Sequence, residues 1–405
     1  MSRRRRRRQE IPEDERLETV RIERLVAGGM GLAHLPDGKT LMAAFAAPGE
    51  LVEVTVERTH PDYVQGVVSK VIEPSPSRTE PKCKLFGDCG GCQLQHLEYP
   101  AQLAAKEAIV REQLSRMGGL EDAPVNAVVG ADDPWAYRNH VRFSTGRRHG
   151  DLGFIHRRGR GLLRVERCPI ADPWVNEQLP RLQGHARGLH QIQMRHNAET
   201  ESTLIAPALE HLPEESGQEH YVEQLGGRRF RVSPSSFFQV NNAQAEKLVA
   251  LVSASLPEKG DLLLDAYAGV GTFAAIFSDR FERVIAIEES PSAVGDAEVN
   301  LADLDNIDFR LGKVEAVLPE LAEKPSVVLL DPPRVGCAPE VLEALIALAP
   351  PTVVYVSCNP TTLARDLRTV VDAGYALESV TPIDMFPQTA HIESVSRLTL
   401  PAAEG

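Results

Sequence analysis

The sequence predicts an α/β protein: a Rossmann-like, doubly wound domain in its C-terminal part, preceded by a small β-barrel and a central α+β region. Three observations carry this. From about Ser236, near-continuous apolar runs such as DLLLDAY, VIAIEE, VVLLDPP and VVYVSC alternate with helical segments, the pattern of a parallel sheet covered on both faces. From about Leu17 to Ile72 the pattern is short and alternating, with Gly, Pro and Asp between runs, as in a small barrel. A chain of 405 residues also exceeds what one hydrophobic core organises, so three domains are expected.

Taken in order, the barrel strands are read in ETVRIERL, TLMAAFAAPGE, LVEVTVERT and YVQGVVSKVI, with AGGMG as a turn. PSPSR marks a linker. The region that follows opens with a cysteine cluster and holds one clear amphipathic helix, PAQLAAKEAIVREQLSRMG; the rest of it reads as strands and basic loops. The helix NNAQAEKLVALVSASL then leads into the last region. The expected boundaries are 1–14 for a basic tail, 15–74 for the barrel, 75–235 for the central domain and 236–405 for the last domain. No internal repeat is evident.

Composition narrows the function. The chain is 42% hydrophobic and 25% charged, as in a soluble globular protein, and no apolar run approaches the ~18 residues of a membrane span. MSRRRRRRQE is followed by IPEDERLETV where a secretion signal would need an apolar stretch, so a cytoplasmic protein is expected. A net charge of -13 excludes coating of nucleic acid over the whole surface but leaves room for a local basic face. Nine arginines, among them Arg138, Arg142, Arg147 and Arg157, stand between positions 138 and 167 against two acids, Asp151 and Glu166. A solvated basic surface would account for the charge. The interleaved Phe143, Phe154 and three histidines suit phosphate and base contacts better. The Arg3 to Arg8 run would add non-specific attraction to RNA. The six cysteines, three of them crowded between Cys83 and Cys92, make a poor disulfide framework and fit a reducing compartment.

Two constellations carry chemistry. In DAYAGVGTF, Asp265 ends an apolar strand, and Gly269 and Gly271 allow close backbone approach to a ligand where the chain turns into a helix. A structural tight turn or a dinucleotide loop would look similar. Glu288 at the end of the next strand shifts the reading, because a carboxylate there can accept both hydroxyls of a ribose. The loop lacks the P-loop lysine and the third glycine of the dinucleotide fingerprint, so phosphate is disfavoured and S-adenosylmethionine is the better candidate. In VVYVSCNP, Cys358 ends a buried strand, and in VVLLDPPRVG, Asp331 ends another. A lone strand-end cysteine is often a small core residue. Its neighbours Ser357, Asn359 and Pro360 argue for a reachable thiol, whereas Cys337 has no such context and is read as structural. A thiolate added to carbon 6 of uracil makes carbon 5 nucleophilic, and a base must then remove the carbon 5 proton. Glu393 in FPQTAHIESV is the candidate base, although most glutamates are surface residues.

The segments SPSSFFQVN, DAYAGVGTF, LLDPPRVG, YVSCNPTTLARDL and FPQTAHIE, in this order over the final 170 or so residues, resemble the bacterial RNA uracil-5 methyltransferase family. The resemblance implies Cys358 as nucleophile, Glu393 as base, and cofactor contacts at Gln239, Tyr267, Glu288 and Asp331. Residues 17 to 72 are similar to the TRAM domain, an RNA-binding barrel, departing from it at LMAAFAAP, where members often carry an aromatic–valine pair. C-x5-C-G-G-C followed by Cys168 resembles a four-cysteine site. Spacing alone allows zinc or iron. The resemblance implies a [4Fe-4S] cluster on Cys83, Cys89, Cys92 and Cys168 that holds the RNA-binding region together. Members with both barrel and cysteines resemble 23S ribosomal RNA enzymes, so that RNA is the expected substrate, with transfer RNA as the alternative. Phe237, Phe238 and the arginine-rich segment are candidates to cradle an extruded uracil. No protein partner is expected, and the chain is read as a monomer. A cytosine-5 enzyme would need a Pro-Cys pair where this chain has DPPRVGC. An iron–sulfur RNA-binding protein without activity would not need Asp331, Cys358 and Glu393 together.

Overall fold

Period-two burial builds the N-terminal sheet, as in LVEVT, where the two valines face inward and their neighbours outward. The structure, a computed structural model, describes residues 17–146, 148–159, 161–209 and 216–401; the Arg3 to Arg8 run, Arg147 and Arg160 lie outside them. Six strands, β1 (Leu17–Arg21), β2 (Arg24–Val26), β3 (Met30–His34), β4 (Thr40–Ala44), β5 (Leu51–Thr59) and β6 (Tyr63–Glu73), pair in the order β1-β5-β6-β4-β3-β2. Only Ile22 and Glu23 separate β1 from β2, so the two edges of this order are halves of one bent segment. The sheet therefore curls back on itself around Ile22, Ala33, Leu41, Val52 and Val54.

After the cysteine loop come α1 (Tyr99–Arg116) and a five-stranded antiparallel sheet. Its strands are β7 (His140–Gly146), β8 (Asp151–Ile155), β9 (Leu162–Arg164), β10 (Gln191–Asn197) and β11 (Ser202–Ala206), in the order β11-β10-β7-β8-β9. Helix α2 (Pro173–Leu182), capped by Asp172, covers one face through Val175, Leu179 and Leu182. A hairpin of β12 (Tyr221–Leu225) and β13 (Arg228–Val232) follows. The amphipathic helix α1, expected among the central elements, lies elsewhere. Its Ile109, Val110 and Leu114 join the core of the C-terminal sheet beside Leu363 and Leu367.

That sheet comprises β14 (Gly260–Ala266), β15 (Phe281–Glu288), β16 (Ile307–Leu311), β17 (Val327–Leu330), β18 (Thr352–Ser357), β19 (Ala376–Ile383) and β20 (Glu393–Thr399). The order is β16-β15-β14-β17-β18-β20-β19; the first five strands are parallel, and β20 inserts antiparallel between β18 and β19. Helices α3 (Asn242–Ser255), α4 (Thr272–Phe277), α5 (Pro291–Asn300), α6 (Val314–Val317), α7 (Pro339–Leu348) and α8 (Pro360–Asp372) complete it. The sheet's apolar residues feed two cores, and all four residues of β17 are buried, the mark of a strand covered on both faces. Strand order reverses at β14 and β17, which opens a crevice beyond their C-terminal ends. No helix among the described residues is long and apolar enough to cross a membrane.

Candidate active site

The crevice starts at Asp265, fully buried at the end of β14. Its Oδ2 accepts the Ala274 amide of α4 at 2.9 Å, while its Oδ1 meets no donor among the described residues. Burial pushes this carboxyl up to about 8 against the pull of that amide, and the charges of Asp331 and Glu288 add to the rise. Two residues on, Tyr267 has φ +68°, a left-handed conformation that costs a non-glycine residue roughly 1–2 kcal/mol, and its buried hydroxyl, near the Cys337 thiol, has no well-formed hydrogen bond among the described residues. Gly269 and Gly271 are left-handed too. A Cβ on Gly271 would lie 3.0 Å from Leu301, whereas one on Gly269 would meet nothing within 4 Å, so Gly269 borders open space. Glu288, at the end of β15, closes this notch: one oxygen accepts the Gly269 amide at 2.9 Å and the other the Ser290 amide at 2.7 Å. An orphaned carboxylate oxygen, an orphaned phenol and an open glycine turn suit a polar ligand the size of a nucleoside.

The second half of the site depends on β20. Its antiparallel register with β18 ends at Ser357 opposite Ser394, and the next residue outward on each strand is Cys358 and Glu393. The two functional groups thus stand on neighbouring strands at one sheet edge, beside Asp331 at the end of β17. Cys358 is half-buried and Glu393 is 4% exposed. Burial, then the charges of Glu393 and Asp331, push the Cys358 thiol up to about 11; the Arg334 guanidinium works against them. Burial and Asp331 raise Glu393 to about 8, again opposed by Arg334, and burial raises Asp331 to about 7. Three carboxyls and a thiol whose burial disfavours ionisation thus gather around one crevice, the arrangement of a candidate functional site.

Arg334 and His391 were not singled out from sequence. A guanidinium only donates, so His391 Nδ1 accepts from Arg334 Nη2 at 2.8 Å. Burial and the positive Arg334 lower the imidazole to about 4, consistent with a neutral acceptor. Their only sequence signal was position, three residues after Asp331 and two before Glu393. Cys337, by contrast, is buried, and its amide donates to Asp366 Oδ2 at 2.8 Å.

The loop SPSSFFQVN shares a cavity with His391 through Phe237 and Val240 and is pinned from two sides. Arg195 Nη2 donates to the carbonyls of Pro234 (3.1 Å) and Ser236 (2.7 Å), and Ser236 Oγ donates to Asp296 Oδ2 at 2.6 Å. Gln239 is half-buried. Phe237 is 69% exposed, but Phe238 turns inward to within 5.7 Å of the Phe230 ring. The expectation that both phenylalanines face RNA is corrected for Phe238, which is a core residue packed with Phe230 and Val232.

Cys83, Cys89, Cys92 and Cys168 line one cavity of about 490 Å³, together with Arg138, Phe237 and His391. Among the described residues no group of three or more His, Cys, Asp or Glu side chains is drawn together as for a single metal ion. Arg138 lines this cavity while its Nε donates to the His140 carbonyl, and Arg142 is exposed at the rim. Arg157 is committed elsewhere: its guanidinium forks onto Glu57 of β5, with the shorter bond at 2.7 Å, and donates to the Gly87 carbonyl at 2.8 Å.

A profile of the family described as tRNA (Uracil-5-)-methyltransferase matches residues 218–318 and 318–399. The chain is 35% identical to an uncharacterized RNA methyltransferase of Gloeobacter violaceus, over 94% of this chain and 96% of that protein. It is 33% identical to an uncharacterized RNA methyltransferase of Aquifex aeolicus, over 93% of this chain and 97% of that one. The crystal structure of Pyrococcus abyssi tRNA (uracil-54, C5)-methyltransferase in complex with S-adenosyl-L-homocysteine is similar with a TM-score of 0.73 and 26% identity. That match covers 94% of this chain and 100% of the other.

Proposed function

The chain belongs to the tRNA (uracil-5-)-methyltransferase family, whose members are S-adenosylmethionine-dependent RNA methyltransferases, and from that premise we propose a covalent mechanism on Cys358 and Glu393. The register that makes these two residues neighbours across β18 and β20 carries the reading. Cys358, as thiolate, adds to carbon 6 of the target uracil, and the electron pair displaced to the carbon 5 side makes that carbon nucleophilic. S-adenosylmethionine supplies the methyl group on a positively charged sulfur. Glu393 then takes the carbon 5 proton, the carbon 5–carbon 6 double bond re-forms, and the sulfur–carbon 6 bond breaks to free Cys358. Arg334 supports both ionised forms, the thiolate and the carboxylate.

Gln239, Asp265, Tyr267, Gly269, Gly271, Glu288 and Asp331 form the methyl donor's site in this reading. Glu288 faces the ribose, since each of its oxygens keeps a lone pair beyond the amide it already holds. Exposed Phe237 offers a stacking surface for the extruded base, with Arg138 and Arg142 for phosphates. The four cysteines line one cavity, as a shared ligand set would, and are read here as the ligands of a [4Fe-4S] cluster. Anaerobic purification should yield iron and acid-labile sulfide; stoichiometric zinc instead would sink the assignment. In this reading residues 17–73 are the TRAM-like RNA-binding barrel, the sheet of β7 to β11 with α2 is the central RNA-binding unit, and α1 packs with the methyltransferase sheet.

The substrate is an RNA, and the first reading is 23S ribosomal RNA, which rests on the resemblance of the barrel-plus-cysteine layout to the 23S enzymes alone. Transfer RNA is a second reading, favoured by the similarity to an enzyme named for uracil 54 of transfer RNA over 94% of this chain. That match extends into the barrel and cysteine region, so those regions do not discriminate between the two targets. Mapping 5-methyluridine in ribosomal and transfer RNA from cells with and without the protein decides. Loss of one modified position in 23S RNA is expected, loss in transfer RNA selects the second reading, and loss in neither removes both.

A further inference from the structure

The segment between β19 and β20, residues 384–392, delivers Glu393 to the crevice, yet much of what holds it comes from the other end of the chain. Gln388 sits at its centre with φ +70°, a conformation a glutamine keeps only when its surroundings impose it. Its carbonyl accepts the amides of Gln93 (3.1 Å) and Leu94 (3.0 Å). Its own amide donates to Gln102 Oε1 at 3.1 Å, and its Oε1 accepts from Gln102 Nε2 at 3.0 Å. The Ala390 amide donates to Gln93 Oε1 at 3.1 Å. Lys106 binds the Asp384 carboxylate and the Phe386 carbonyl, and the Tyr137 hydroxyl donates to the Pro387 carbonyl at 3.0 Å. Gln102 and Lys106 lie on one face of α1, four residues apart.

Gln93 directly follows Cys92, and its Nε2 donates back to the Gly90 carbonyl at 3.0 Å, inside the cysteine loop. One side chain therefore joins that loop to the amide of Ala390, three residues before Glu393.

We propose that Gln93 and Gln102 are positioning residues for the general base: they fix residues 384–392 from outside the sheet, and through Gln93 the cysteine loop helps to set where Glu393 stands. The proposal rests on the reading of Glu393 as the base. Its signature is a defect in the last step alone, because only that step needs the carboxylate at carbon 5.

Gln93→Met and Gln102→Met keep side-chain length and remove the amide. Incubated with S-adenosylmethionine and unmodified transcripts of 23S ribosomal RNA or transfer RNA, each variant should accumulate a protein–RNA adduct, with turnover down roughly 10-fold or more. With transcripts carrying 5-fluorouridine, where carbon 5 has no proton to lose, even the wild type stops at the adduct. Trapping rates on this probe should match the wild type. Equal slowing of trapping and turnover overturns the proposal, as does the absence of adduct where Glu393→Gln accumulates one. If Glu393→Gln accumulates none, the base assignment fails first and the clamp with it. Gln102 is buried, so should that variant fail to fold, Gln93→Met at its half-buried position carries the same test. In protein free of RNA, Cys92→Ser should speed hydrogen exchange at the Ala390 amide, and unchanged exchange overturns the part assigned to the cysteine loop.

Discussion

Two glutamates at the same sheet edge are treated in opposite ways. Glu288 is met by the amides of Gly269 and Ser290, both supplied by turns close to it in space and one of them two residues away in sequence. Glu393 is buried, raised to about 8, and no side chain or amide among the described residues donates to it. A carboxylate that binds hydroxyls gains from being ionised and oriented in advance. One that must seize a carbon-bound proton gains from being a stronger base than a solvated carboxylate. The first kind of site stabilises itself locally; the second is destabilising and needs a scaffold.

The comparison breaks most visibly at the nucleophile. Cys358→Ala should abolish methylation by several orders of magnitude, while S-adenosylmethionine binding, measured by calorimetry, stays within severalfold, since the glycine-turn notch is untouched. Substantial residual turnover would remove the covalent route. Next in size, Glu393→Gln should lower turnover ~100-fold or more and leave a gel-shifted adduct. It should also separate function from stability. The folded-state pKa of Glu393 lies above that of an unfolded glutamate, so the fold is favoured at low pH and loses that advantage as pH rises through about 8. Glutamine does not titrate. The variant should therefore melt higher than wild type above about pH 8, and the gap should close in acid. In the wild type, the rate of the final step should fall as pH drops below about 8, where Glu393 takes up its proton before reaching the substrate. On the other side of the comparison, Glu288→Gln should weaken S-adenosylmethionine binding roughly 10-fold, the worth of a charged hydrogen bond, without producing any adduct.

The same contrast explains how far the sequence could be read. Asp265, Gly269, Gly271 and Glu288 are legible because one strand, one turn and the next strand's end make the whole notch, and contiguous residues announce contiguous structure. Cys358 and Asp331 are legible as strand ends. Glu393 could be nominated from its wording, but its meeting with Cys358 depends on β20 inserting antiparallel between β18 and β19, a pairing no local pattern encodes. The clamp from α1 is less legible still. The spacing of α1 predicted a helix correctly, and hydrophobic periodicity names a buried face without naming what buries it. Phe237 and Phe238 make the same point in miniature: both looked equally suited to face a base, and only the fold shows that Phe238 is buried while Phe237 is exposed.

The smallest effect concerns Arg157, one of the arginines expected to touch RNA. Its guanidinium is half-buried and engaged by Glu57 and the Gly87 carbonyl, so it ties the barrel to the cysteine loop. If that is its work, Arg157→Ala and Glu57→Ala should each destabilise the protein by about 1 kcal/mol, and the double variant should cost less than the sum of the two, because their mutual pair is counted in both single changes while Arg158 on Glu57 and the Gly87 carbonyl on Arg157 are counted once each. RNA affinity should fall alike in both, through a loosened barrel. An arginine on a phosphate behaves differently: Arg157→Ala would weaken RNA binding more than Glu57→Ala does and would reduce the steepness of its salt dependence by about one phosphate contact. Binding titrations at several salt concentrations distinguish the two, and a reduced slope for Arg157→Ala alone would return this residue to the RNA-contacting face.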